Sequence, residues 1–303
     1  MGELVCESLG KLYGGKTKAL DSVSFSVPSS GIFALIGRNG AGKTTLVRIL
    51  ATELELTSGR ASIDGIDVMR QEKVLRERIA IVPQEARTVS WMTPVQTVLA
   101  YLLWRGFGYS EARKRASETL SKLGLEKNAH TMNHDLSGGT KRKVLAATAL
   151  ASEAEIVFLD EPTTGLDPIS RKEFWEILRV FAKDRFIFLT THYLEEAEEV
   201  ADNIGILGQG KLVAAGSLQS IRDRMKYPYS IKLPSGATLP SKVTGEVIVG
   251  KRGETQVLTN EDEAFAISRR LSEGGQRFSI SPVTLDDIFF QLVGETARDD
   301  EGD

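Results

Sequence analysis

The sequence predicts an α/β protein built on a parallel sheet, with an antiparallel β subdomain, a helical insertion and a small α+β unit toward its carboxyl end. Three observations lead there. The apolar runs GIFALI, EIVFLD and RFIFLTT have the character of strands buried on both faces, and each feeds a helix-like segment, the alternation that makes a sheet parallel. Between about residues 85 and 152 strand signals give way to helical spacing. After Met225 short exposed strands and two helical stretches set in, a change of pattern within one chain.

Taken in order, LVCESLGKLY and ALDSVSFSV flank the pair Gly14-Gly15 and read as antiparallel strands. GIFALIG ends in glycine and leads into a helix from Lys43 to about Ala51. IAIVP is strand-like, and TPVQTVLAYLLW and SEARKRASETLSKLG are helical. EIVFLDE and RFIFLTTH are strands followed by helical segments rich in Glu, Lys and Leu. YSIKLP, GEVIVGK and TQVLTN read as strands, EDEAFAISRRLSEGG and TLDDIFFQLVG as helices, and ARDDEGD as a disordered acidic tail. The expected organisation is a first domain over 1–225 with its insertion over about 85–152, a second over 226–294, and the tail over 295–303.

Composition narrows the classes. At 303 residues and 41% hydrophobic the chain can bury a substantial core. A net charge of -3 supplies no global positive field, so nucleic acid is not an expected partner. Apolar runs such as 32–36 fall far short of the roughly 20 residues a bilayer crossing needs. The opening MGELVCESLGK lacks the basic and apolar regions of a secretory signal, so a cytoplasmic protein is expected. The single cysteine, Cys6, excludes an internal disulfide and reads as a buried strand thiol.

Gly37-Arg38-Asn39-Gly40-Ala41-Gly42-Lys43-Thr44-Thr45 satisfies G-x-x-x-x-G-K-[ST] directly after a strand and at the opening of a helix, the context that gives the motif meaning. Its backbone N–H groups and the helix dipole converge on an anion, Lys43 can reach β and γ phosphates, and the Thr44 hydroxyl suits Mg²⁺. Thr45 is expected at the α phosphate. The reading is ATP as substrate, with Mg²⁺.

Asp160 and Glu161 end EIVFLDE, at the carboxyl edge where parallel sheets bind ligands. Asp160 suits Mg²⁺ support and Glu161 suits polarising an attacking water; the competing reading has both capping the turn before Pro162. His192 follows FIFLTT to the same edge, where it can donate to the γ phosphate. Gln84, after IAIVP, can ligate Mg²⁺ and signal to the helical insertion. His130 and His134 read as structural.

Leu136-Ser137-Gly138-Gly139-Thr140, just ahead of the helix-like KRKVLAATALA, resembles the signature sequence of ATP-binding cassette (ABC) proteins. The resemblance spans about residues 3 to 220, with the motifs in the family's order. It implies a P-loop NTPase core with a RecA-like lobe, and a head-to-tail dimer of identical or related ATPase subunits. Ser137, Gly138 and Gly139 of one subunit would meet the γ phosphate held by the other. By the same resemblance Tyr13 stacks on adenine, Gln84 joins the core to the helical subdomain, Asp167 lies in the Gly165-Leu166-Asp167 loop that follows the catalytic acid, and His192 is the switch histidine. For Tyr13 an ordinary strand aromatic is the competing reading. Arg38 stands where Pro is common, and Thr140 replaces the usual Gln. The carboxyl-terminal unit is similar to the tails of daunorubicin-resistance type exporter ATPases; it either serves a homodimer, regulates it or is a passive appendage.

The implied function is ATP hydrolysis driving a separate membrane permease, in export, with the chain peripheral on the cytoplasmic face. A soluble cassette working on DNA, ribosomes or an assembly complex is the competing class. Long heptad insertions or a second cassette would mark it, and neither is present. A nucleotide switch without hydrolysis is disfavoured by Asp160 and Glu161. Trp91, Met92, Tyr101, Leu102, Leu103 and Trp104 form either the insertion's own core or, in part, a groove for a helix of the permease.

Overall fold

The computed structural model describes residues 2–239, 243–250 and 253–293. Two compact units result, 1–215 and 216–303, the division falling ahead of the change in sequence pattern at Met225. The expected tail over 295–303 lies outside the described residues.

The first unit opens with β1 (Glu3–Tyr13) and β2 (Thr17–Pro28), an antiparallel pair whose Tyr13 and Thr17 face each other across the glycine turn. Gly14 and Gly15 take φ of 55° and 69°, a left-handed conformation that costs a residue without Cβ little. Next come β3 (Gly31–Ile36), α1 (Lys43–Leu50), β4 (Ser58–Ile63), β5 (Ile66–Asp67), α2 (Glu72–Arg78) and β6 (Ile79–Val82). The insertion follows as α3 (Pro94–Trp104), α4 (Tyr109–Lys122) and α5 (Gly138–Ala151). Its entry is fixed locally: Thr93 and Gln96 form a reciprocal capping box, and Pro94 sits in the first turn, where its missing N–H costs nothing. The chain then returns to the sheet through β7 (Ile156–Asp160), α6 (Pro168–Phe181), β8 (Phe186–Thr191), α7 (Leu194–Val200), β9 (Asn203–Gly208) and β10 (Lys211–Gly216).

Two sheets organise this unit. One has the order β2-β1-β4-β5; the other runs β10-β9-β3-β8-β7-β6, with β6, β7, β8, β3 and β9 parallel. Parallel pairing sets Ile36 opposite Thr191 and Thr190 opposite Asp160, so the residues that follow these strands emerge at one edge. Phe25 of the antiparallel sheet stacks on Phe33 of the parallel one at 5.6 Å, and Phe158, Phe188, Leu46 and Leu50 share that core. Each such side chain taken fully out of water contributes about 1.5–3 kcal/mol.

Leu102 is buried, but Trp91 and Trp104 are 68% and 78% exposed, so they are not the insertion's own core. Helix α3 turns Val98 and Leu102 inward, and this leaves Leu103 and Trp104 outward, as a helical period requires. No helix among the described residues is long and apolar enough to cross a membrane.

The second unit contains α8 (Leu218–Arg222), β11 (Tyr229–Leu233), β12 (Glu246–Val249), β13 (Thr255–Thr259), α9 (Glu261–Glu273), β14 (Ser279–Pro282) and α10 (Leu285–Val293). Its antiparallel sheet, β12-β13-β11-β14, buries Ile231, Leu233 and Val257 against Ala264, Ile267 and Leu271 of α9. Arg222 Nε donates to the Val283 carbonyl, which ties α8 to this unit.

Candidate active site

Four parallel strands deliver the site. β3 ends at the glycine loop, β6 at Gln84, β7 at Glu161 and β8 at His192, and a cavity of about 540 Å³ is lined by Asn39, Gly40, Gly42, Lys43, Thr44, Thr45, Gln84, Glu161 and His192. Ala19 and Thr164 line it too, without any motif to mark them. Gly37 and Ala41 belong to the same loop. Gly42 holds φ of 104°, and a Cβ there would stand 2.5 Å from the Ala19 carbonyl oxygen, so only glycine lets the loop pack under that strand.

Lys43 is 5% exposed, a cation drawn under the loop. Its Nζ donates to the Gly37 and Arg38 carbonyls at 2.7 and 3.2 Å and lies 3.6 Å from Glu161 Oε1. Burial pulls its pKa below the ordinary lysine value, while Glu161 and Asp160 oppose that shift.

Glu161 is the centre of the cluster. Its Oε2 accepts from Gln84 Nε2 at 3.0 Å and Thr164 Oγ1 at 3.2 Å, and its Oε1 stands 3.5 Å from His192 Nδ1. Its backbone is left-handed, φ 49°, a conformation costly for a residue with a Cβ. Two bonds hold it there: Glu161 N donates to Thr190 Oγ1 at 2.9 Å, and Arg142 Nη2 donates to the Glu161 carbonyl at 2.9 Å.

Asp160 is 1% exposed; its Oδ1 accepts from the Thr190 hydroxyl, and its Oδ2 is buried without a hydrogen-bond partner among the described residues. An orphaned carboxylate oxygen this deep costs free energy unless a cation or its water answers it. The Thr44 hydroxyl and the Gln84 amide line the cavity while Asp160 does not, and together these donors are the hard oxygens that Mg²⁺ takes.

Tyr13 does not line this cavity; its hydroxyl lies 3.5 Å from Thr45 Oγ1, which does, and Lys11 Nζ stands over its ring at 5.4 Å. The structure does not bring Ser137, Gly138, Gly139 or Asp167 into this cavity. Ser137 caps α5, its Oγ accepting from Thr140 N at 3.2 Å and lying 2.8 Å from Thr140 Oγ1. Asp167 caps α6 through bonds from Ile169 N and Ser170 N, and those to Ser170 hold its carboxyl below the usual range. Gly138 instead lines a groove of about 560 Å³ with Gln84, Arg87, Lys141 and Arg142.

Three side chains that no motif announces complete the arrangement. Arg142 of α5 grips the carbonyls of Gln84, Asp160 and Glu161 at once. Thr190 holds the two acids in register, and Glu196 of α7 reaches Thr163 and Thr191. Arg142 sits in the helix-like KRKVLAATALA, where no local pattern marks it for this role.

Comparison with known proteins matches this architecture. The ABC transporter family pattern fits residues 20–164. The daunorubicin/doxorubicin resistance ATP-binding protein of Streptomyces peucetius is 30% identical over 96% of this chain and 92% of its own. The Nod factor export ATP-binding protein I of Mesorhizobium japonicum is 31% identical over 94% and 84%. Among solved structures, a dimeric ATP-binding cassette in a post-hydrolysis state with ADP and Pi superposes with a TM-score of 0.64 at 25% identity, covering 71% of this chain and 98% of that one.

Proposed function

The chain belongs to the ABC transporter ATP-binding family, and from that premise we propose that it hydrolyses ATP to drive an exporting membrane permease carried on a separate chain. The observation that carries the reading is the meeting of four strand ends on Glu161, with a phosphate loop on one side and a second glycine-led helix start, at Ser137, outside the cavity.

In the resting arrangement Glu161 is held by Lys43, Gln84, Thr164 and His192. The γ phosphate competes for Lys43, and this frees one carboxylate oxygen to accept a hydrogen bond from water. As water attacks phosphorus its proton passes to the Glu161 carboxylate, the bond from phosphorus to the bridging oxygen breaks, ADP leaves with that oxygen's charge, and His192 donates a hydrogen bond to a γ oxygen. Tyr13 stacks on adenine. Thr44, Asp160 and Gln84 would hold Mg²⁺, which when bound neutralises charge on the β and γ oxygens.

The mouth formed by Ser137, Gly138 and Gly139 is left for the nucleotide of a second subunit, so two copies close head to tail on two ATP. This rests on the signature resemblance and on a relative of dimeric architecture. Coupling to the permease is assigned to the groove beside Gln84 and to the exposed apolar residues Val89, Trp91, Leu103 and Trp104 of the insertion. The chain then works at the cytoplasmic face, peripheral to the membrane.

The test is co-purification from native membranes. A polytopic protein should follow the wild-type chain, and Trp91→Ser with Trp104→Ser should release it while thermal unfolding and ATP binding stay unchanged. Unaltered capture of the permease by the double variant would remove the docking surface from the reading. Wild-type protein that captures none would remove the transport role.

A further inference from the structure

Glu196 is 6% exposed on α7, outside the cavity, and none of the motifs assigns it a task. Its Oε2 accepts from Thr163 Oγ1 and from Thr191 Oγ1, both at 3.0 Å, and its Oε1 faces Arg171 Nη1 at 3.5 Å. These three partners belong to three different pieces of the site. Thr163 lies two residues beyond the catalytic acid Glu161. Thr191 immediately precedes His192, and its hydroxyl also accepts from Tyr193 N at 3.0 Å. Arg171 donates through Nε to the Leu166 carbonyl at 2.9 Å and lies over the Tyr193 ring at 4.0 Å, while that ring is 4.1 Å from the His192 ring.

The chain of contacts continues to the signature. A Cβ at Gly139 would stand 2.7 Å from Leu166 Cδ2, so α5 begins pressed against the loop that Arg171 holds. One buried carboxylate therefore sits between the hydrolytic acid, the switch histidine and, through Arg171 and Leu166, the signature of the same chain. Burying an ion pair for stability alone gains little over an apolar replacement, whereas removing one partner is costly. The placement favours a role in fixing relative position.

We propose that Glu196, paired with Arg171, is a positioning residue for ATP hydrolysis: it locks Glu161 and His192 in their working relation and ties both to the signature loop that the head-to-tail reading gives to the neighbouring nucleotide. The proposal rests on that reading of the site. Glu196 touches no reacting atom, so nucleotide affinity is set without it.

The experiment compares the full-length chain with Glu196→Gln, Arg171→Lys and the double variant, measuring nucleotide Kd with a fluorescent ATP analogue and steady-state kcat and KM with ATP. Glu196→Gln should lower kcat by about 10-fold or more, because small misplacements of reacting groups cost that much, while Kd stays within about 2-fold. The double variant should be no worse than the poorer single one, as expected for two residues acting through one contact. Unchanged kcat in both single variants overturns the proposal, as does a kcat loss matched by an equal loss of affinity or a fully additive double variant. Should Glu196→Gln fold poorly, Arg171→Lys alone carries the test, since Arg171 is partly exposed and its substitution keeps the charge. Absence of turnover in the wild type would sink the proposed function along with this inference; normal wild-type turnover with unaffected variants sinks only the inference.

Discussion

Arg142 Nη2 donates to the carbonyl of Glu161 at 2.9 Å, so helix α5, capped by Ser137, holds the backbone of Glu161 directly. The same guanidinium reaches the Gln84 carbonyl at 2.9 Å and the Asp160 carbonyl at 3.2 Å. Burial lowers its pKa, with Asp160 and Glu161 opposing, yet an arginine stays charged at any working pH. The clasp offers a physical route by which motion of the insertion is felt at the acid.

Substituting Arg142→Gln should therefore cost about 2 kcal/mol of stability, the scale of a charge-assisted bond to buried carbonyls, and lower kcat more than it weakens ATP binding. Chemical unfolding and ATPase assays on the same preparation check both. Wild-type turnover in a destabilised variant would confine Arg142 to a folding role.

For Glu161→Gln the amide keeps the volume and can still pair with Gln84 or Thr164, but it cannot accept a proton from water. Turnover should fall on the order of 100-fold or more, and ATP should hold the protein as a dimer in size-exclusion chromatography. Retained turnover would take the catalytic role from this residue.

Tyr13 is expected to lend its ring face rather than its hydroxyl. Tyr13→Phe should leave ATP affinity near wild type, and Tyr13→Ala should weaken it by about 1 kcal/mol, roughly 5-fold in Kd. Equal losses in the two variants, measured by titration calorimetry, would point to the hydroxyl contact with Thr45 instead.

Cys6, buried in β1, has its thiol pKa pushed well up by the loss of solvent. The sign follows: the unfolded chain ionises first, so this residue's contribution is intact below about pH 8.5 and declines by about 1.4 kcal/mol per pH unit above it. The difference in unfolding free energy between wild type and Cys6→Ala, measured from pH 7 to 10, should show that slope. A pH-independent difference would mean the thiol is not protected.

Much of the site was legible because its chemistry is local. The loop around Lys43, the acids ending EIVFLDE and the histidine ending FIFLTTH each combine a strand with its following residues inside one short window, where side-chain pattern and glycine placement act directly. Parallel pairing then puts their ends on a single edge, and the expectation that His192 reaches the same edge as Glu161 needs only that rule. Other elements carry weaker local marks: NIGILG, which forms β9 beside β3, is short and broken by glycine.

The sequence by itself determined the parallel α/β class, the glycine loop that opens α1 at Lys43 and which residues reach the carboxyl edge of the sheet. Tertiary structure alone decided that Arg142 clasps Gln84 and Glu161, that Glu196 joins Thr163 to Thr191, and that Trp91 and Trp104 stay exposed on the insertion. The reason is range: a periodic pattern records what a residue does for its own helix or strand, whereas a buried hydrogen bond between segments tens of residues apart depends on how those elements pack, and no local signal encodes its partner.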